Sequence, residues 1–290
     1  MMDRVTAKED RTGWFNRTGW PAHLAGRNRV HLVHAVRLPG GDEPRLVKAA
    51  ELFDTLIERC VRGLDTLPLE TRRWLKSAKH SDPHPRPIGR LQNPQTQARY
   101  AGYIKKFVCY FLRIHVSLKE MEEGGGGERG GGGGREGEGP GRGRGREAEI
   151  EGDGESEEDS SSGFWSQAEG EEEETREEAG VDVIKDAREL FYWNEIQRAL
   201  AAQLWDSLGR GDEQEQLNLL SDVLTTFIGS NYTGSVFESG LIQFTAVLGI
   251  DADLDRLRPA KHYSYVLAGL IYCIRVIIAE KSLPAATRQR

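Results

Sequence analysis

Arg72, Lys76 and Lys79 stand at i, i+4 and i+7, with Arg73 and Trp74 between them. On a helix, that spacing gathers three cations on one face. A phosphate backbone is held by such a face through charge and counterion release. A second set, Arg99, Lys106 and Arg113, recurs every seven residues, with Tyr103 and Tyr110 beside it. Cations interleaved with aromatics suit a nucleic-acid strand whose unstacked bases need flat partners. These seven residues are the candidate nucleic-acid contacts. The same spacing also describes the solvated side of any amphipathic helix, and basic helices bind acidic protein segments as well.

Catalytic signatures are missing from the sequence. It contains no GxSxG, HExxH or GxxxxGK[ST] pattern. His31 and His34 lie three apart without a carboxylate placed by spacing, which favours surface or core histidines over a metal site. His80, Asp82 and His84 sit among prolines 83, 85 and 87, in a loop without a rigid element to hold a metal. His115 falls on an apolar helical face and reads as core. Trp14 and Trp20 read as an N-terminal arm docking on a helical body. The expectation is no catalytic residue, no metal and no cofactor.

Cys60, Cys109 and Cys273 are isolated among apolar residues, and no CxxC pair occurs. Zinc fingers and dithiol redox chemistry do not fit, and buried thiols in a reducing compartment do. The opening MMDRVTAKEDRTGW has no apolar core of a secretory signal.

Charge divides the 290 residues into three. Residues 1–119 carry net +11, residues 120–180 net −15 and residues 181–290 net −3, giving −7 overall. A basic first part suggests an anionic partner, with the acidic middle as a competitor for it; the plainer reading is surface charge for solubility. Of 34 glycines, 19 fall within 120–180, and Glu122 to Glu147 has no large apolar side chain. Such a segment buries too little to offset its ordering entropy, so a long disordered Gly/Glu-rich linker is expected. Its GRGRGR run, 141–146, has the form of an arginine–glycine RNA-binding segment inside a net-negative tract. Ser156 and Ser166 precede acidic residues in a context that acidic-directed kinases favour.

The two flanking parts read as mainly α, two small helical bundles: a basic N-terminal block, 1–119, and a C-terminal bundle, 181–290. Helices are expected over Pro21–Leu38, then from a cap at Asp42 with Pro44 in the first turn to Gly63, and over Leu69–Lys79. Another runs from a cap at Asn93 to about Lys119. In the C-terminal part, helices are expected over Phe191–Leu208, from a cap at Asp212 to Ile228, over Ser235–Leu248, and from Pro259 to Lys281. The last is apolar nearly all round and is expected at the centre of its bundle. Its core YSYVLAGLIYCIRVIIA is 17 residues long and carries Arg275, which favours a buried helix over a membrane span.

Four phrases carry a resemblance: WFNRTGWPAHLAGRNRVHL (14–32), LPLETRRWLKSAK (67–79), RLQNPQTQARYAGYIKKFVCYFLR (90–113) and FESGLIQFTAVLGIDADLDRLRPAKHYSYVLAGLIYCIRV (237–276). Together they resemble an uncharacterised connecting region of large filamentous-fungal proteins. There it lies between a zinc-finger-like segment and a RecQ-type helicase-like part, in genes of telomere-associated or mobile-element-derived character. The resemblance implies a fragment or stand-alone copy of that region. It implies no helicase activity for this chain and assigns no catalytic residues.

The resulting expectation is a non-enzymatic helical module, DNA- or chromatin-associated through residues 1–119, intracellular and nuclear, with no membrane partner. The alternatives are a protein-interaction scaffold without nucleic-acid binding and an inert relic of a multidomain gene. Limited proteolysis is expected to cut within 120–180 before any other segment, and protection there equal to that of the helical parts would contradict the linker reading.

Overall fold

Caps, prolines and three glycines of positive φ, Gly19, Gly26 and Gly211, divide the chain into helices. In the computed structural model, residues 13–79, 81–124, 182–230, 234–251 and 256–283 are described. Helix α1 is Gly13–Thr18 and α2 is Trp20–His23. The single helix expected over Pro21–Leu38 is broken. Gly26 takes φ +74°, a region closed to most L side chains, and Asn28 then caps a new start by accepting from the N–H groups of Val30 and His31. That start opens α3, Arg29–Ala35.

Pro44 occupies the first turn of α4, Pro44–Gly63, whose N-cap is Glu43 and not Asp42. The Glu43 carboxylate is committed elsewhere, to Arg113 and the Gly40 N–H. A 3-10 turn, Leu64–Thr66, leads to α5, Leu69–Lys76. At Asn93, the side-chain oxygen accepts from Gln95 N (2.9 Å) and Thr96 N (3.3 Å), starting α6, Pro94–Gly124. Residues 120–124, expected as linker, extend this helix. The rest of the expected linker lies outside the described residues.

Helix α7 is Lys185–Leu190, and α8 is Glu195–Ser207, opened by a reciprocal Asn194–Gln197 capping box. Helix α9, Glu213–Ile228, starts where Asp212 accepts from Glu215 N at 3.1 Å. Ser239 caps α10, Gly240–Leu248, after a 3-10 turn at Val236–Glu238. A two-residue antiparallel pair, β1 (Ile250–Asp251) and β2 (Arg256–Leu257), was not foreseen and leads into α11, Ala260–Lys281.

The protein is mainly helical, with a helical part before and after residues 125–181, and the described residues of both parts form one compact unit. The joint is aromatic. Phe107 of α6 lies 5.1 Å from Phe227 of α9, 5.0 Å from Phe244 of α10 and 6.5 Å from Phe191. Tyr110 meets Phe191 edge-on at 5.3 Å. Such centroid distances are those of favourable aromatic pairs. On α6, Phe107 to Ile114 is buried without a break, so this helix needs cover on every side. Helices α4 and α11 cover it in part, and α7, α8 and α10 in part.

Helix α11 therefore does not hold the central place expected of it. Its inner side packs on α4 and α6, so closely that a Cβ at Gly269 would stand 2.6 Å from the Tyr100 ring. Glu280 is 1% exposed and paired with Arg59 of α4 at 3.0 Å. The outer side carries exposed Tyr265, Ile271 and Ile278. By length and composition α11 is apolar enough to cross a membrane, and 44% of its most apolar window is buried inside the protein.

One shared core has a testable consequence. Produced separately, residues 1–124 and 182–290 are expected to show weak helicity and no cooperative melting, and to recover both on mixing. Phe107→Ala in the intact chain is expected to lose about 3–5 kcal/mol, by urea unfolding.

Candidate functional site

Helix α5 is short and amphipathic, and the proline-rich segment after it folds back along its end. Ile88 N donates to the Arg72 carbonyl at 3.0 Å and His84 N to the Arg73 carbonyl at 3.2 Å. In return, Arg73 Nε donates to the His84 carbonyl at 3.0 Å. Ser77 Oγ donates to the carbonyls of Asp82 (2.6 Å) and Lys79 (2.9 Å). Carbonyls left over at the helix end thus gain partners. The fixed φ of prolines 83, 85 and 87 keeps this segment extended.

The result is a cationic edge. Arg72 is paired with Asp65 at 3.3 Å, and Arg73 with Glu70 at 3.2 Å. Lys76 is half-buried and Lys79 exposed, and neither ammonium makes an ion pair among the described residues. Exposed Arg86 and Arg90, which the helix-face reading passed over, extend the edge along the loop. Their signal in the sequence was position among prolines, and not helical spacing. Tyr272 of α11 donates to the Gly89 carbonyl at 3.3 Å and packs on Tyr100 at 6.0 Å. That contact brings the second turn of α6, with exposed Arg99, beside the same loop. The Arg99 guanidinium lies 5.8 Å from the Tyr100 ring centroid.

The rest of the α6 stripe does not form a contact surface. Arg113 is 6% exposed. Its Nε and Nη2 donate to the two oxygens of Glu43, each at 2.7 Å. Its Nη1 donates to the carbonyls of Ala35 (2.9 Å) and Arg37 (2.7 Å). The guanidinium fork fits this turn of chain as it would fit a phosphate, and the site is already occupied. Tyr103 and Tyr110 are buried in the core and offer no face to a base, and Lys106 is half-buried. Sequence spacing alone does not separate a solvated stripe from one covered by another part of the chain.

Burial pushes the Glu43 carboxyl up, but the hydrogen bond and charge of Arg113, with Arg37 and the Gly40 N–H, outweigh it and hold the group below its ordinary range. His34, with Nδ1 buried and unpartnered, is lowered by burial and then by Arg37 and Arg113, which favours neutral imidazole. His31 Nδ1 stands 3.8 Å from Asp186 of α7. His23 stacks on Phe237 at 3.9 Å. His115, expected in the core, is half-buried, 6.3 Å from Trp193. Trp14 and Trp20 form an edge-on cluster with Tyr263, so the N-terminal arm does dock.

All three cysteines are free and buried. Burial raises each thiol, Cys109 to about 11 and Cys273 to about 12. Among the described residues, no group of three His, Cys, Asp or Glu side chains is placed to hold a metal. His80 lies outside the described residues. An open groove between α4 and the start of α6 has a volume of about 490 Å³. It contains Asp54, Glu58 and Arg90, but no nucleophile with a base beside it.

No protein-family model, curated protein or solved structure matches this chain.

Arg113 is expected to be structural. Arg113→Ala leaves Glu43 with only Arg37 and the Gly40 N–H, removes the Arg113 donors from two carbonyls, and is expected to cost about 3–5 kcal/mol in urea unfolding. Because Glu43 is held below its unfolded value, its contribution is complete above the ordinary carboxylate range and disappears as pH falls through the lower folded value. Glu43→Gln is therefore expected to lower stability at pH 7 and to flatten the acid limb of the stability curve. An Arg113→Ala protein with native stability and an unchanged acid limb would contradict this role.

Proposed function

We propose that the protein is a non-enzymatic helical module that associates with DNA or chromatin through the edge formed by α5, the 77–90 loop and the second turn of α6. The observation that carries this reading is the concentration of Arg72, Arg73, Lys76, Lys79, Arg86, Arg90 and Arg99 along that edge, where Lys76 and Lys79 have no carboxylate partner among the described residues. An edge of this kind binds phosphates with little reading of bases, because Tyr103 and Tyr110 are in the core and Trp74 is the exposed aromatic that α5 offers. The contact is therefore sequence-tolerant and strongly salt-dependent. A nuclear location and kinship with helicase-linked fungal proteins are part of the same proposal, and rest on the four resembling phrases. The second reading is a protein-interaction scaffold, favoured by the exposed apolar outer side of α11.

The test uses the full chain, because the two helical parts share a core. Fluorescence anisotropy with duplex DNA at several salt concentrations is expected to give a log–log slope of about −0.9 per phosphate neutralised. Lys76→Ala, Lys79→Ala and Arg86→Ala together are expected to make that slope shallower by about 2 to 3, with the melting temperature preserved, since exposed charges contribute little to stability. Absence of binding at low salt, or a slope indifferent to the triple variant, would favour the scaffold reading.

A further inference from the structure

The outer side of α11 is an apolar ridge with Lys76 and Lys79 near the end of α5 beside it and the Lys281–Asp222 pair on its flank. At about 100° per residue, Tyr265, Ala268, Ile271, Arg275 and Ile278 fall within one arc of the helix. Tyr265 is 60% exposed, Ile271 44% and Ile278 36%. Beside the arc, Lys281 of α11 is held by Asp222 of α9. Within it, Arg275 Nη2 donates to the Ser77 carbonyl at 3.4 Å, tying the ridge to the end of α5. One helical turn before Ser77, Trp74 is 42% exposed, and Lys76 and Lys79 flank the junction.

Charge selects what fits here. Helix α11 has one carboxylate, Glu280, and it is buried against Arg59, so the ridge itself shows no negative charge. A second copy of the chain would bring cations against cations. An extended nucleic acid would leave Tyr265, Ile271 and Ile278 in water. A helix with an apolar stripe at i, i+3, i+4 and i+7 and carboxylates beside the stripe satisfies both features. We infer that the α5–α11 face docks an acidic amphipathic helix of a partner protein. Its apolar stripe lies along Tyr265, Ile271 and Ile278 with Trp74 as the aromatic anchor. Its carboxylates reach Lys76, Lys79 and Arg275.

This goes beyond the proposed nucleic-acid edge and has a consequence for it. Lys76 and Lys79 belong to both surfaces, so an acidic helix and a phosphate backbone compete for them. The partner would then act as a charge-matched displacer of nucleic acid.

The probe is a fluorescein-labelled designed helical peptide of about five turns, with Leu along one stripe and Glu on its flanks. Its counterpart has Lys in place of every Glu. The Glu peptide is expected to bind the full chain at least about tenfold more tightly than the Lys peptide. Ile271→Ser with Ile278→Ser is expected to weaken the Glu peptide about tenfold while leaving duplex DNA binding unchanged. Both positions are exposed, so the variant is expected to keep its melting temperature, and Tyr265→Ser provides an independent loss at the same ridge. Lys76→Ala with Lys79→Ala is expected to weaken both ligands. Equal binding of the two peptides, or indifference to the ridge variants, would overturn the inference. Capture of the chain by phosphatidylserine vesicles with no peptide preference would overturn it in favour of a membrane surface. Loss of DNA binding with the peptide retained would overturn only the nucleic-acid reading, and the reverse result only this one.

Discussion

Helix α6 cannot stand at a surface, because from Phe107 to Ile114 every one of its residues is buried. The rest of the architecture follows from covering it. Phe107 gathers Phe191, Phe227 and Phe244 from the later part of the sequence onto a helix from the earlier part. Buried aromatic contacts of this kind are a large contribution for a modest domain, and here they are made between the two parts. Folding is therefore expected to depend on pairing across residues 125–181. The α4–α11 ion pair Arg59–Glu280 and the contact of Lys48 Nζ with the Leu208 carbonyl at 3.0 Å strengthen the same joint.

A second constraint acts within the same run of α6, at Arg113. The chain between α3 and α4 must turn while its carbonyls at Ala35 and Arg37 lie against the core. Arg113 supplies the donors for both and for Glu43, and so fixes where α4 begins. An arginine is suited to this because its planar fork satisfies several acceptors without rearranging. A residue type that reads as a phosphate contact is here consumed by the protein's own backbone.

What remains at the surface is divided by chemistry. The α5 edge keeps its cations, because short α5 buries none of its residues completely. The outer side of α11 keeps its isoleucines and Tyr265 exposed, because α4 and α6 claim only the opposite side. The Arg275–Ser77 contact joins these two regions. On the proposed reading, phosphate chains and acidic helices are the two kinds of partner that this place would address with shared lysines.

The sequence by itself determined the long helices and those ends that carry a local cap or stop, but not α1 or α7, nor that α8 starts at Glu195 and not Phe191 and that α5 stops at Lys76 before Lys79. Asn93 and Asp212 cap where a short polar side chain precedes an apolar period, and Pro44 opens a first turn, since these signals act within a few residues. It also determined that the thiols are buried and that the class is mainly α. Tertiary structure decided the rest. The left-handed Gly26 that splits the first long helix, the exposure of α11 and the burial of Arg113 and Tyr110 depend on which element lies opposite each residue. Periodicity shows that a helix has two sides. It does not say how many of them another part of the chain will cover. Helix α11 is the more apolar of the two, yet it keeps an exposed side while the Phe107–Ile114 run of α6 is covered all round, because the elements packed against a helix, and not its apolar content, decide its burial.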